Sequence, residues 1–192
     1  MPPRFDCHFP VFRVFRARMF RLFRPCLFAA ALGFTAAASA AEQDTAQRLW
    51  LAGQRSAAIS WVEDGLRTTP NDLNLRFTLG VMRMEMGELK PAAEIFTRLS
   101  QDFPDLADPF NNLAVIHAAQ GDLDLAQADL NQALTLQPTH AQALENLGDV
   151  LLRQAERAYQ NALKHQVAPL AATQGKLKNI QALLKRVDTP SP

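Results

Sequence analysis

The chain has 192 residues, with 20 Lys+Arg, 19 Asp+Glu and a formal net charge of +1. That balance is uneven. The first 40 residues hold six Arg, one acid and both Cys, and residues 41–192 hold 14 bases and 18 acids, a net of −4. The mildly acidic remainder excludes a general electrostatic case for nucleic acid. Its 152 residues suffice for one domain with a continuous core.

Residues 1–40 read as a secretory signal peptide. Arg13, Arg16, Arg18, Arg21 and Arg24 make a positive start, Cys26 to Ala37 an uncharged apolar run, and Ala38-Ser39-Ala40 a small-x-small cleavage pattern. The expected mature chain starts at Ala41, and Met19 is an alternative start that gives a signal of ordinary length. The apolar run is short of the ~20 residues that span a bilayer, although an uncleaved anchor stays open as the alternative. Cleavage would remove Cys7 and Cys26, leaving no thiol for a disulfide or a thiolate metal site. The Ala- and Arg-rich style points to a bacterium, so the expected location is periplasmic or secreted, with membrane contact only if the leader is uncleaved.

From Glu42 onward, landmarks recur every 34 residues: Leu79, Leu113, Leu147; Gly80, Ala114, Gly148; Ala58, Ala92, Ala126; Gly53, Gly87, Gly121; Pro70, Pro104, Pro138. A period of this length marks a solenoid, in which no helical hairpin buries its apolar face without its neighbours. Residues 41–140 divide into three hairpins. In the first, Gln47 to Leu51 lie before the Gly53 turn, and Ala58, Val62 and Leu66 after it. Asn71-Asp72 offers a side-chain oxygen to start the next helix. In the second hairpin, Phe77, Leu79, Gly80 and Met84 face inward on the first helix. Ala92, Phe96 and Leu99 face inward on the second, and small Gly80 and Ala92 fall where the two helices approach closely. The third runs from Ala107 to Pro138 and turns at Gly121-Asp122.

Residues 141–187 form a degenerate fourth repeat and a capping helix. Leu147 and Gly148 keep register, but Ala155-x-x-x-Tyr159-x-x-Ala162 arrives five residues early, with no Gly or Pro between. The spacing predicts one continuous helix over Ala141–His165, with an inward stripe of Leu144, Leu147, Leu151, Ala155, Ala158 and Ala162. After Pro169, Leu170 to Val187 reads as the capping helix, with Leu177, Ile180, Leu183 and Leu184 inward. Residues 188–192 read as a frayed tail.

These residues resemble the tetratricopeptide repeat family, whose pattern is W-x2-L-G-x2-Y, A-x3-F, P. The matching positions are Arg76, Leu79, Gly80, Arg83, Ala92, Phe96 and Pro104, then Phe110, Leu113, Ala114, His117, Ala126, Leu130 and Pro138; the aromatic positions are poorly kept. The resemblance covers about Glu42 to Tyr159. It implies an all-α, right-handed α-solenoid and a protein-binding function.

No catalytic constellation emerges, no enzyme is expected, and no cofactor or metal is implied. His117, His140 and His165 are far apart; His117 reads as a packed helix–helix histidine and His140 as solvated. Asp122-x-Asp124 lacks a calcium loop's ligand series and suits the start of a helix instead. The resemblance places a peptide groove on the first helices. Asn112 and Asn146 stand one residue before the repeat leucines, as Thr78 does in the second hairpin. In some family members such an Asn bonds a peptide backbone, since a carboxamide both donates and accepts. Arg83, Asn111, Val115, Ala119, Glu145 and Asp149 would share that groove. Equally open is that these Asn link adjacent repeats. A clamp for C-terminal carboxylates would need bases where Asn111-Asn112 and Glu145-Asn146 stand, so it is rejected.

Charge is segregated: eight acids and no Lys or Arg from Leu99 to Val150, then seven bases and two acids from Arg153 onward. The groove is thus expected to favour a neutral or basic peptide, while the basic end suits its own helix dipole. The function expected is an exported, non-catalytic scaffold that binds a protein or peptide segment, in envelope assembly or secretion. The alternatives are an oligomerisation subunit that uses the long C-terminal helix, and a signal-anchored membrane protein.

Overall fold

The computed structural model describes residues 45–165 and 171–188. The readings of residues 1–40 as a leader, of Pro169 and of the tail beyond 188 lie outside them. Among the described residues every regular element is a helix, and they form two compact units, divided between Pro104 and Asp105.

The first unit holds α1 (45–51), α2 (Arg55–Thr68), α3 (Leu73–Glu85) and α4 (Leu89–Asp102). Gly53 and Gly87 reverse the chain at φ 78° and 77°, the left-handed region that side chains with a Cβ avoid. Asp72 caps α3, its carboxylate accepting from the Leu75 amide at 2.9 Å. Ala46, Ala58, Ile59, Val62, Leu75 and Met82 form one core, with Leu49, Trp50, Leu66 and Leu79 against it. Between α3 and α4 the approach is closer still. A Cβ on Gly80 would stand 2.8 Å from Phe96 Cζ and 3.2 Å from Ile95 Cγ2. Phe96 is fully buried and meets Phe77 edge to face at 5.5 Å between ring centres. Arg76 pairs with Asp102 at 2.7 Å, joining the start of α3 to the end of α4.

The second unit holds α5 (Ala107–Gln120), α6 (Leu123–Leu136), α7 (Ala141–Lys164) and α8 (Ala171–Asp188). Gly121 ends α5 at φ 86°, and its backbone N–H returns to the carbonyls of His117 and Ala118. Ala114, Ala126, Leu130 and Ala133 fill the hairpin, and Ala143 and Val150 extend that core onto α7. Helix α7 then runs 24 residues without a break. Its Ala155 stands at the register of the turn glycines Gly53, Gly87 and Gly121. Alanine resists the positive φ of the reversal and is the best helix former, so the helix continues. Helix α8 packs on α7 in antiparallel fashion, with Gln181 against Glu156 and Lys176 against Tyr159.

The buried face of α7 differs from the leucine stripe expected. Ala143, Asn146 and Val150 are buried, whereas Leu144 is 50% and Leu151 45% exposed, Ala158 is exposed and Leu147 half-buried. On α8, Leu184 is buried and Leu177 and Ile180 are half-buried, but Leu183 is 46% exposed. The reason lies in the missing reversal. Arg76 on α3 and His117 on α5, at the registers of Leu144 and Leu151, pair with Asp102 and Asp129 on the second helix of the same hairpin, and α7 has no such helix at that place. Gly148 shares the register of Gly80, yet a Cβ there would meet nothing within 4 Å. It is thus no point of close approach.

Candidate functional site

The residues singled out for a groove fall in both units. Thr78 and Arg83 lie on α3. Thr78 is half-buried. The Arg83 guanidinium is held between Glu88, at the start of α4, and Glu63, on α2. The Glu88 carboxylate raises the pKa of Arg83, against burial and with help from Glu63. This side chain therefore ties three helices of its unit together instead of facing a groove with its charge free.

Of the others, Asn111 and Asn146 meet where α5 faces α7, with Asn112, Val115 and Ala119 also on α5 and Glu145 and Asp149 also on α7. Asn111, Asn112 and Asn146 are the buried polar side chains among the described residues, at 2%, 1% and 5% exposure. Asn146 Nδ2 donates to Asn111 Oδ1 at 2.9 Å, which joins the two helices. Gln142 Nε2 donates to Asn146 Oδ1 at 3.3 Å. Asn112 Nδ2 donates to the Asp108 carbonyl, one turn back, at 2.9 Å. The two asparagines at one register place thus do different work. Asn146 is spent on the link between hairpins. Asn112 keeps its Oδ1 free, and among the described residues it is the one buried side-chain oxygen or nitrogen with no hydrogen-bond partner. A buried acceptor left unpaired costs roughly 1–3 kcal/mol, so such a group calls for a reason. Val115 is buried and Ala119 half-buried on α5, while on α7 Glu145 is exposed and Asp149 half-buried.

The histidines serve the frame. His117 Nδ1 lies 2.6 Å from Asp129 Oδ2, between α5 and α6. Burial pushes the Asp129 carboxyl above its ordinary range, and His117 draws it part of the way back. His140, expected to be solvated, is instead the cap of α7: its Nδ1 accepts from the Ala143 amide at 3.1 Å, and its Nε2 lies 3.0 Å from Asp108 Oδ1. Each pair holds one His and one Asp, and among the described residues no three His, Cys, Asp or Glu gather as metal ligands would. None of the described helices is long and apolar enough to cross a membrane.

Sequence reasoning missed several tethers. Gln154 Nε2 reaches the Leu123 carbonyl, Asp124 Oδ1 and Gln127 Oε1 at 3.3, 3.1 and 2.9 Å, and Arg157 pairs with Asp124 at 2.7 Å. These pairs, His140–Asp108 and Asn146–Asn111 are separated by 27 to 35 residues, close to one repeat. A search for polar partners about one period apart would have found them.

The tetratricopeptide repeat model matches residues 107–140, the α5–α6 hairpin up to His140, the cap of α7. No curated protein matches the chain in sequence. Among solved structures, the human RPAP3 second TPR domain in complex with the HSP70 peptide SGPTIEEVD is 18% identical, with a TM-score of 0.52 over 57% of this chain and 91% of that one. The first TPR of Spaghetti (RPAP3), bound to the HSP90 peptide SRMEEVD, is 14% identical, with a TM-score of 0.56 over 65% and 99%. MamA from Desulfovibrio magneticus RS-1 is 14% identical, with a TM-score of 0.54 over 76% and 74%. At these identities the likeness is one of fold: an all-helical solenoid of tetratricopeptide hairpins.

Proposed function

We propose, on the premise that this chain is a tetratricopeptide-repeat protein, that it is a non-catalytic scaffold that binds an extended protein segment over the α5–α7 seam. The observation that carries the reading is the unpaired Oδ1 of Asn112, a buried acceptor on α5 next in sequence to the seam residue Asn111. A backbone N–H of a bound segment would satisfy it, given a small rotation of the side chain, and would remove the cost of leaving it unpaired. Neighbours of the same fold carry peptides that end in EEVD. Here Glu145 and Asp149 flank the seam and no Lys or Arg occurs from Leu99 to Val150, so a neutral or basic segment is favoured over an acidic one.

The same proposal includes export. A basic start, an apolar run and Ala38-Ser39-Ala40 support cleavage before Ala41, and so a place in envelope assembly or secretion. Intact mass of the exported protein tests this: a chain that starts at Ala41 is expected, and one that retains Phe34 would contradict it.

The binding claim is tested by two variants against an array of extended peptides graded from acidic to basic. Asn112→Ala should lose about fivefold or more in affinity for the basic peptides at nearly unchanged stability. Asn146→Ala should lose stability first, because it leaves Asn111 Oδ1 buried and unpaired. Unchanged binding in Asn112→Ala, or a preference for acidic peptides, would overturn the reading.

A further inference from the structure

Two contacts set the geometry of the terminal helix pair. Gln181 Nε2 donates to Glu156 Oε1 at 3.1 Å on one edge, and the Lys176 ammonium sits 5.8 Å from the centre of the Tyr159 ring on the other. From Tyr159, steps of three and four residues lead back along α7 through Ala155, Leu151, Gly148 and Leu144. From Lys176, two turns lead along α8 to Leu183. Both stripes therefore lie on the Tyr159–Lys176 edge, and in this antiparallel register Leu183 comes level with Leu151. Leu144, Leu151 and Leu183 are 50%, 45% and 46% exposed, and nothing lies within 4 Å of the place of a Cβ on Gly148.

The earlier hairpins show what such positions do when covered. One repeat or two before Leu144, Gly148 and Leu151, the chain has Arg76, Gly80 and His117. Arg76 pairs with Asp102, Gly80 abuts Phe96 and His117 meets Asp129, each on the second helix of its own hairpin. The edge of α7 is thus built to take helices.

We propose that a second copy of this chain covers it, in a two-fold dimer of the α7–α8 pairs. Charge chooses this occupant. Lys176 stands level with Tyr159, and Glu145 lies 14 residues down α7, about 21 Å along the axis. The two are exposed and cannot meet within one chain. A two-fold axis that passes between α7 and α8 at the level of Leu151 and Leu183 lays each α8 over the partner's α7. Leu183 of one copy then rests on Leu151 of the other, and Lys176 comes level with Glu145 of the other, twice over. The face is self-complementary in both apolar content and charge, as an isologous interface requires. A few leucines per copy place the dimer among small, weak interfaces. Its apolar contacts, Leu151 and Leu183, lie away from the α5–α7 seam, and it shares only Glu145 with that seam, so Leu151→Asp is the variant that separates the dimer from peptide binding.

Sedimentation of the full chain over a wide concentration range tests this, with helicity checked by circular dichroism. A monomer–dimer equilibrium is expected, abolished by Leu151→Asp at unchanged helicity. Glu145→Lys or Lys176→Glu alone should weaken the dimer about tenfold, and the two together should restore it. Rescue by the double exchange can arise only between copies. A chain that stays monomeric, a dimer that ignores Leu151→Asp, or a double variant as weak as the single ones would overturn the proposal. A monomer whose Leu151 is shielded by its own residues 1–44 or by another protein would do so as well.

Discussion

Gly80 and Gly148 stand at one place in the repeat, 68 residues apart, and meet opposite surroundings. At Gly80 the chain reverses at Gly87, and Phe96 returns to within 2.8 Å of where a Cβ would sit. At Gly148 the reversal is gone, because Ala155 holds the turn register and the helix runs on to Lys164. The glycine is the same and its role is not. A repeat residue that faces the second helix of its hairpin has a structural task only where that hairpin closes. The open hairpin is also what frees an edge of α7 for a second copy.

Substitutions in the closed hairpins should have the largest effects. Ala126 is fully buried in the α5–α6 hairpin. Ala126→Leu should overpack it and cost about 1–3 kcal/mol, read by urea denaturation. An unchanged midpoint would mean that this hairpin is looser than its burial implies. Next comes the link between hairpins: Asn146→Ala should cost about 1–2 kcal/mol and expose the amides at the start of α7 to hydrogen exchange. A purely ligand-facing Asn146 would leave that exchange unaltered.

The smallest effect is set by pH. The Asp129 carboxyl is raised by burial, more than His117 lowers it. Folded and unfolded chains differ most between the ordinary carboxylate value and the raised one, where the folded chain holds more protons. Stability from this group is therefore present at lower pH and is lost as pH rises through that window. Asp129→Asn should remove this share of the decline, seen as flatter stability against pH across the acidic range. An unaltered slope would show that the carboxyl is not strained by its burial.

Much of the fold was legible because it is local or periodic. The turn glycines, the close approach at Gly80 and the unbroken α7 follow from spacing and backbone preference alone, although the side chain that meets Gly80 is Phe96 and not Ala92. The inward face of α7 did not. Leu144, Leu147 and Leu151 are the more apolar stripe, so periodicity selects them over Ala143, Asn146 and Val150. Which stripe is buried depends on which helices are there to cover it, and that is a matter of tertiary structure. The seam was half legible. Register located Asn112 and Asn146 and left the groove and the link between repeats equally open for both, and only the positions of Asn111 and Asp108 separate them. The charge on Arg83 was visible, whereas its capture by Glu63 and Glu88 was not.

The most direct test sets the two glycines against each other. Gly80→Ala and Gly148→Ala would be made singly in the same chain, and native-state hydrogen exchange measured for the helix that carries each. The account predicts opposite signs. Gly80→Ala should lower the opening free energy of α3 by about 1–3 kcal/mol, through the clash with Phe96. Gly148→Ala should raise that of α7 by about 0.5–1 kcal/mol, since a methyl group there meets open space and alanine favours the helix. Loss of stability in both would contradict the account, for it would mean that a helix closes on Gly148 as Phe96 closes on Gly80.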